Sequence, residues 1–206
     1  MSSTEGRERE RAQRHQLIIT AARELAEAEG WEAVTTRRLA ERVEYSQPVL
    51  YSHFKGKDAM VRAVAIEGFD DLAARLRRAR LAETSPGEAL RAVSRACPEF
   101  AVARPALYEA MFVMPIDVPF ASQDTPPALR AAFDELVAVI GPGGGRDELY
   151  AEVIWSALRG LAVLAHGRRM PAERQQERLE ILVQHFAPDP ADLPQGRASS
   201  AQMTLP

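Results

Sequence analysis

The chain has 206 residues, of which 46% are hydrophobic, and its formal net charge is −3. That length suffices for a sizeable core in one large or two small domains, and the weak charge excludes a polycation that coats nucleic acid. The charge is uneven, because residues 1–82 carry 15 basic and 13 acidic side chains while residues 83–206 carry 11 and 16. A near-neutral N-terminal part with local cations, joined to an acidic body, favours sequence-specific binding over bulk electrostatic binding.

Cysteine usage and hydropathy indicate the compartment. The one cysteine, Cys97, excludes an internal disulfide and is typical of a reducing environment. No apolar run approaches the ~18 residues of a membrane-spanning helix, and the N-terminal sequence MSSTEGRERER lacks the apolar core of a signal peptide. We therefore expect a cytoplasmic protein without a membrane partner.

Residues 9–29 have the apolar spacing of an amphipathic helix. Gly30 is expected to end this helix, and Trp31 and Val34 to pack into a small core. Residues 1–8 are polar and are expected to be disordered. The N-terminal arginines have two readings: a solvated, salt-bridged face, since glutamates alternate with them, or an arm that contacts phosphates. These arginines are Arg7, Arg9, Arg11 and Arg14.

Residues 35–57, TTRRLAERVEYSQPVLYSHFKGK, predict two short helices joined by a tight turn. Thr35 is expected to cap the first helix, because its hydroxyl can accept a free backbone N–H. Ser46 is expected to cap the second helix, and Pro48 falls in its first turn, where a missing N–H costs little. The apolar face of the first helix is formed by Leu39, Ala40 and Val43.

The second helix of this pair turns Leu50 and Phe54 toward the core, and Gly56 is expected to end it. Its outward face offers an amide, a phenol, an imidazole and a hydroxyl, with no acidic residue. Such groups can hydrogen-bond to base edges and phosphates, whereas a carboxylate would repel phosphates. The only two lysines of the chain, Lys55 and Lys57, flank this helix. The alternative is a solvated helical hairpin with ordinary polar residues.

The ordered set of Thr-Arg, Gln-Pro-x-Leu-Tyr-x-His and Lys-x-Lys resembles the DNA-binding domain of the TetR/AcrR family of transcriptional regulators. The resemblance covers about residues 9–187 and is specific in residues 31–58. It implies that Thr36 and Arg37 open one helix, that the next is the recognition helix, and that Lys57 contacts a phosphate. The candidate DNA-binding residues are Thr36, Arg37, Ser46, Gln47, Pro48, Val49, Tyr51, His53, Lys55 and Lys57.

The turn between the two helices departs from the family pattern. The family usually has glycine there, where this chain has Glu44. If the turn needs a positive φ, a glutamate costs roughly 1 kcal/mol at this position. Otherwise the turn takes another shape, so the relative orientation of the two helices is left open by the sequence.

The rest of the chain predicts an all-α body. The break at Arg104-Pro105 is expected because a residue before proline disfavours the α region. Helices are expected over residues 58–81, 86–103, 106–114, 127–140, 147–166 and 171–186. The fold is then a three-helix, helix-turn-helix DNA-binding domain at 9–57, a helical ligand-binding and dimerisation domain at 58–187, and a disordered tail at 188–206.

Residues 100–133 are enriched in bulky apolar and aromatic side chains. Most of these are expected to form the core of the body, but aromatic and Met side chains beside a proline-rich loop also suit an apolar pocket. With the resemblance, this predicts a site for a hydrophobic or amphipathic small molecule, with Arg159 or Tyr108 as its polar contact. The candidate ligand-binding residues are Phe100, Tyr108, Met111, Phe112, Phe133, Trp155 and Arg159.

The last two helices carry the candidate dimer interface. Small residues around position 160 allow another backbone to approach, and the final helix has an apolar stripe at helical spacing. A stripe of that width can serve both its own core and a partner, and the alternative is that it is wholly intramolecular. The candidate interface residues are Gly160, Leu179, Leu182, Val183 and Phe186.

Three features that could indicate other chemistry are interpreted as structural. The glycines at 141–145 lack a following Lys-Ser/Thr and a preceding strand, so we read them as a connector and not as a phosphate-binding loop. The histidines lack the spacing of metal ligands, and Cys97 is read as a buried structural thiol. We expect no metal, no cofactor and no enzymatic activity.

The sequence therefore favours a ligand-responsive transcriptional regulator. It is expected to bind a palindromic operator in double-stranded DNA as a homodimeric repressor and to be released by a small hydrophobic effector. The rival is a helical enzyme or small-molecule carrier that uses the apolar pocket. The rival lacks a paired acid/base or nucleophile set in this sequence.

Overall fold

The computed structural model describes residues 3–116, 118–120, 122–141 and 146–187. These residues form nine α-helices and two short 3-10 helices, with no strand among them, so the all-α prediction is confirmed. The helices are α1 (Ser3–Glu29), α2 (Thr36–Val43), α3 (Gln47–His53), α4 (Lys57–Leu81), α5 (Pro86–Ala103), α6 (Pro105–Phe112), α7 (Pro127–Ile140), α8 (Asp147–His166) and α9 (Gln175–Phe186). No helix within these residues is long and apolar enough to cross a membrane.

The first helix is longer than its apolar stripe. Because α1 begins at Ser3, the prediction that residues 1–8 are disordered is wrong for residues 3–8. Arginine and glutamate are good helix formers, and pairs four residues apart such as Glu10 and Arg14, 3.0 Å apart, support a helix without tertiary contacts. The predicted tail at 188–206 and the glycines at 142–145 lie outside the described residues.

The helix-turn-helix follows the predicted bounds, with one capping exception. The Thr35 hydroxyl accepts a hydrogen bond from the backbone N–H of Arg38 at 3.3 Å, as expected of a cap. Ser46 occupies the corresponding position before α3, but its hydroxyl makes no capping bond, so that prediction is wrong. Its backbone carbonyl instead accepts the N–H groups of Val49 and Leu50. Ordinary backbone bonding therefore starts α3 without the serine side chain.

The turn between α2 and α3 needs a left-handed residue. Glu44 lies at φ 56° and ψ 35°, in the region that favours glycine. The glutamate accepts this conformation at a cost of roughly 1 kcal/mol. The turn therefore keeps a positive φ despite the substitution.

Gly56 does not end the recognition helix, contrary to the prediction. Phe54 closes α3, with its backbone N–H bonded to the carbonyl of Leu50. Gly56 instead precedes α4 as its N-cap, at φ 104°. The glycine therefore lets the chain enter α4 directly from the recognition helix.

Helix α4 connects the N-terminal helices to the body. It packs against α5, α6 and α7, and α8 and α9 in turn pack against α5. Gly68 allows α4 and α6 to lie close together, because a Cβ there would be 2.6 Å from Sδ of Met111 and 2.8 Å from Cδ1 of Leu107. The break between α5 and α6 falls at Arg104-Pro105, as predicted.

The N-terminal helices are also joined to the start of α6. The Trp31 indole Nε1 donates to the carbonyl of Ala106 at 2.8 Å. The Glu27 carboxylate accepts the backbone N–H groups of Ala106 and Leu107, at 3.2 and 2.9 Å. Proline at the first position of α6 has no N–H, so Glu27 satisfies the next two free donors of that helix. A carboxylate at a helix N-terminus also interacts favourably with the helix dipole.

Candidate functional site

The outward face of α3 is open to solvent. Gln47, Pro48 and Ser52 are exposed, Tyr51 is 55% exposed, and Val49 is half-buried. No acidic residue occurs within α3, so the face is free of carboxylates. The face can offer hydrogen bonds and apolar contacts to base edges in a major groove.

The arginines of α2 divide into two roles. Arg38 makes two hydrogen bonds of 2.7 and 2.8 Å to Glu29 at the end of α1, and this bonding lowers the pKa of the Glu29 carboxyl. Arg42 is paired with Glu24, also on α1. Arg37 is 79% exposed and has its ion pair within its own helix. Two arginines therefore fix α2 against α1, and Arg37 is left on the surface.

Lys57 is placed between the starts of α2 and α4. Its Nζ donates to the backbone carbonyl of Trp31 at 2.6 Å, which uses one of its three donors. Thr35, Thr36 and Lys57 line one surface pocket of about 320 Å³. Two helix N-termini and an ammonium group favour an anion at this position, and the Glu32 carboxylate, which also lines the pocket, opposes it. The exposed Lys55 lies two residues before Lys57 in the chain.

A cluster of basic groups lies beside the end of α3 and includes residues from α1. The His15 ring stacks on Phe54, with centroids 4.4 Å apart, and lies 5.8 Å from the His53 ring. Burial lowers the pKa of His53, and the positive charges of His15, Arg11 and Arg14 lower it further. No sequence pattern predicts this proximity, because it joins residues about forty positions apart.

A cleft of about 630 Å³ opens between α4, α6, α7 and α8. Four of the predicted ligand-binding residues line it: Met111, Phe112, Trp155 and Arg159. Phe112 is central to their contacts, since its ring lies 5.3 Å from Phe69, 4.7 Å from Tyr108 and 5.8 Å from Trp155. Residues of the loop after α6 complete the lining, including Met114, Ile116, Val118 and Phe120.

A much smaller cavity, of about 20 Å³, lies under the ring of Phe112. Tyr108 and Cys97 line it, together with Phe112, Trp155 and Arg159. Burial raises the pKa of the Cys97 thiol to about 12, so the thiol stays protonated at neutral pH. This agrees with the reading of Cys97 as structural, since a nucleophilic cysteine requires the thiolate.

Three predicted ligand-binding residues do not line this cleft: Tyr108, which lines the small cavity, and Phe100 and Phe133. Phe100 is only 3% exposed and packs in the core, with the guanidinium of Arg104 over its ring. Phe133 faces a separate pocket and lies edge-on to Phe120, at 5.9 Å. The aromatic enrichment of this segment predicts both of these phenylalanines as ligand contacts. The orientation of each helix decides which aromatic side chains reach the cleft.

The surface formed by α8 and α9 carries an apolar groove of about 590 Å³. Gly160, Leu182 and Phe186 line it, as does Ile181, which is 58% exposed and was missed by the sequence analysis. Leu179 and Val183 are 5% and 2% exposed within the single chain, so their side chains pack in its own core. A Cβ on Gly160 would meet nothing within 4 Å.

No group of three or more histidine, cysteine, aspartate or glutamate side chains in the described part of the chain is arranged to hold a metal ion.

Comparisons with known proteins agree with this architecture. Residues 18–64 match bacterial regulatory proteins of the tetR family, and residues 90–186 match the tetracyclin repressor-like C-terminal domain. An uncharacterized HTH-type transcriptional regulator of Mycobacterium tuberculosis is 30% identical over 153 residues, which are 71% of this chain and 67% of that protein. The class C tetracycline repressor of Escherichia coli is 50% identical over 50 residues, or 24% of this chain and 23% of the repressor.

A solved structure shows the same fold over most of the chain. The transcriptional regulator FadR from Bacillus subtilis, in complex with stearoyl-CoA, superposes with a TM-score of 0.62 at 15% identity. The match covers 82% of this chain and 97% of FadR. The two matched domains and the Mycobacterium tuberculosis relative identify the chain as a member of the TetR family of transcriptional regulators.

Proposed function

We propose that this protein is a ligand-responsive repressor that binds a palindromic operator as a homodimer and is released by a small hydrophobic effector. The observation that carries the proposal is that α6 has one end bonded to the N-terminal helices and the other end at an apolar cleft. A ligand that displaces Phe112 therefore acts on the helix that holds the DNA-binding domain in place.

DNA recognition is assigned to the exposed face of α3. The Gln47 amide can pair bidentately with adenine, while Tyr51 and His53 add hydrogen bonds to bases or phosphates. Arg37 and Lys57 are assigned to phosphates, since one is exposed and the other lies among helix N-termini. The contacts with phosphates would fix the register, and the face of α3 would read the sequence.

Effector binding is assigned to the cleft that Met111, Phe112 and Trp155 line. A volume of about 630 Å³ falls in the usual range of small-molecule sites, and most of the residues that line it have apolar side chains. FadR, which has the same fold, was solved in complex with stearoyl-CoA. This similarity supports the proposal that the cleft accepts an extended apolar chain.

Dimerisation is assigned to the groove of α8 and α9. A single helix-turn-helix covers few base pairs, so selectivity normally needs two half-sites spaced about 34–36 Å apart or a multiple of that. Leu182, Phe186 and Ile181 give this groove an apolar surface, and the absence of a side chain on Gly160 lets a partner helix approach closely. The same groove on a second copy would form a two-fold, four-helix interface.

The test is selection of bound fragments from the genomic DNA of the source organism, followed by affinity measurements on the selected site. Gln47→Ala should change which sequences are preferred. Lys57→Ala should weaken all sequences alike and make the log–log salt slope shallower by about one. Because Lys57 also bonds to Trp31, its variant must first show an unchanged unfolding midpoint.

Two controls make the test specific. Arg130→Gln removes a surface arginine from α7 and should change neither affinity nor salt slope, since Arg130 lies in the body and bonds to the carbonyl of Ser122. Unchanged affinity of Lys57→Ala at low salt would contradict its phosphate contact. Tight binding of apolar compounds by a protein that selects no DNA would favour the small-molecule carrier instead.

A further inference from the structure

The proposed effector cleft contains one charged side chain. Its lining residues in the described part of the chain are apolar except for Ser156 and Arg159. The Ser156 hydroxyl donates to the carbonyl of Glu152, four residues earlier, at 2.7 Å. Arg159 is therefore the charged lining residue that has donors left for a ligand.

Arg159 is held in place without being neutralised. Its Nη2 donates to the backbone carbonyl of Phe112 at 3.0 Å, and its guanidinium lies over the Phe112 ring, 5.5 Å from the centroid. It forms no ion pair with a carboxylate of the described residues. Other arginines of the body do form such pairs, among them Arg80 with Glu135 and Arg91 with Glu180.

From this geometry we infer that the effector is an amphipathic anion, with an apolar body in the cleft and a carboxylate bound by Arg159. A guanidinium has five donors in a planar fork that matches a carboxylate, and only one of them is used here. Hydrogen bonds between two charged groups are about twice as strong as neutral ones. The inference deepens the proposed effector site and rests on that site binding a small molecule.

Tyr108 does not line the cleft itself but lines the small cavity that shares Arg159 with it. Burial raises the pKa of its phenol, so the hydroxyl keeps its proton at neutral pH. The charged contact for a carboxylate in the cleft is therefore Arg159.

The same contact gives the anion a route to the DNA-binding domain. The carbonyl that Arg159 holds belongs to Phe112, the last residue of α6. The first turn of α6 is bonded to Glu27 and Trp31. A carboxylate that draws the guanidinium toward itself competes with the Phe112 carbonyl, so the last residue of α6 loses this contact with α8.

The experiment uses three ligands that share one alkyl chain: decanoate, 1-decanol and decylammonium. Binding to the full-length protein is measured by calorimetry and by the shift in unfolding temperature, at ligand concentrations below micelle formation. We expect decanoate to bind at least about tenfold more tightly than decanol, and decylammonium to bind most weakly. Arg159→Gln should lower the decanoate affinity to that of decanol and leave decanol unchanged, and Arg159→Lys should restore part of the difference.

Arg130→Gln, at the neighbouring pocket, is the matched control and should keep the full preference for decanoate. Equal affinity for decanoate and decanol, or a preference that survives in Arg159→Gln, would overturn the anionic effector and leave the apolar site standing. Failure of all three compounds to bind would overturn this inference together with the proposed effector site. DNA selection by the same protein tests the operator independently.

Discussion

The Trp31 indole donates a 2.8 Å hydrogen bond to the backbone carbonyl of Ala106, across 75 positions of sequence. The bond joins the short 3-10 helix after α1 to the first turn of α6. Lys57 holds the carbonyl of the same Trp31 residue, at 2.6 Å. One tryptophan therefore contacts both the start of α4, beside the proposed DNA surface, and the helix that leads to the proposed effector cleft.

Glu27 is the side chain that most directly attaches α1 to α6. Glu27→Ala removes the acceptor of two backbone N–H groups, and we expect the free energy of unfolding to fall by about 1–3 kcal/mol. Glu24→Ala, which removes a surface pair with Arg42, should cost less than about 1 kcal/mol. Urea unfolding of both variants measures the difference. Equal losses would show that the bonds to α6 contribute nothing beyond a surface contact.

Gly68 sets the spacing of α4 and α6. Gly68→Ala gains up to about 1 kcal/mol of helix propensity but places a Cβ against Met111 and Leu107, which we expect to cost about 1–3 kcal/mol. The matched control is Gly87→Ala, in α5, where a Cβ meets nothing within 4 Å. The control should be neutral or stabilising, and Gly68→Ala should lower the unfolding midpoint. A rise in the unfolding midpoints of both variants would mean that α4 and α6 can move apart to accommodate the added methyl group at no cost in stability.

The basic cluster at the end of α3 predicts a pH dependence of stability. The pKa of His53 lies below its usual value of 6.5 in the folded chain, first because of burial and then because of His15, Arg11 and Arg14. Below about pH 6.5 the unfolded state therefore binds more protons than the folded state, and stability falls as the pH drops through the folded pKa. Above that range the contribution of His53 is fully present.

His53→Gln should flatten this dependence between about pH 7.5 and 5. The measurement is the free energy of unfolding in urea at several pH values, with His166→Gln, on the exposed end of α8, as the control. A wild-type stability that rises on acidification over this range would contradict the assignment. Bound phosphates would favour the protonated, positively charged form of His53. The affinity for DNA should therefore increase at lower pH in the wild type, and increase less in His53→Gln.

Several local features of the fold followed from the sequence, although the Ser46 cap and the helix end at Gly56 did not, and the long-range features did not follow. Thr35 capped its helix and Arg104-Pro105 broke another because both effects depend on neighbouring residues. A positive φ at Glu44 is another local feature, since the sequence position falls in the tight turn between two helices. The bond from Trp31 to Ala106 joins segments whose relation depends on packing.

The predicted interface and ligand-binding residues show the same difference between what local patterns predict and what packing decides. Periodicity placed Leu179 and Leu182 on one stripe, but only the packing of α9 against α5 and α8 shows that the first is in the core and the second in the groove. Composition brought Phe112 and Phe133 into one candidate pocket. The rotation of α7 relative to α6 directs them to different ones.

The apolar groove of α8 and α9 predicts that two copies of the chain associate there, and this can be tested independently of DNA and effector binding. Leu182 is half-buried in the single chain and lines the groove, whereas the neighbouring Val183 is 2% exposed and packs inside. Leu182→Glu should therefore leave the helical fold intact and place a charge at the seam between two copies, which costs several kcal/mol unless it is paired. Val183→Glu should instead unfold the chain.

Sedimentation at micromolar concentration, with circular dichroism to check the fold, distinguishes these outcomes. The wild type should sediment as a dimer and Leu182→Glu as a folded monomer that binds a half-site but no longer holds the palindrome. Val102→Glu is the control, because Val102 is 82% exposed on α5 and lies outside the groove, so a dimer is expected. If the wild type sedimented as a monomer, the proposed binding of two half-sites by a dimer would be contradicted, since the groove of α8 and α9 is the surface assigned to hold the two α3 helices at a fixed spacing.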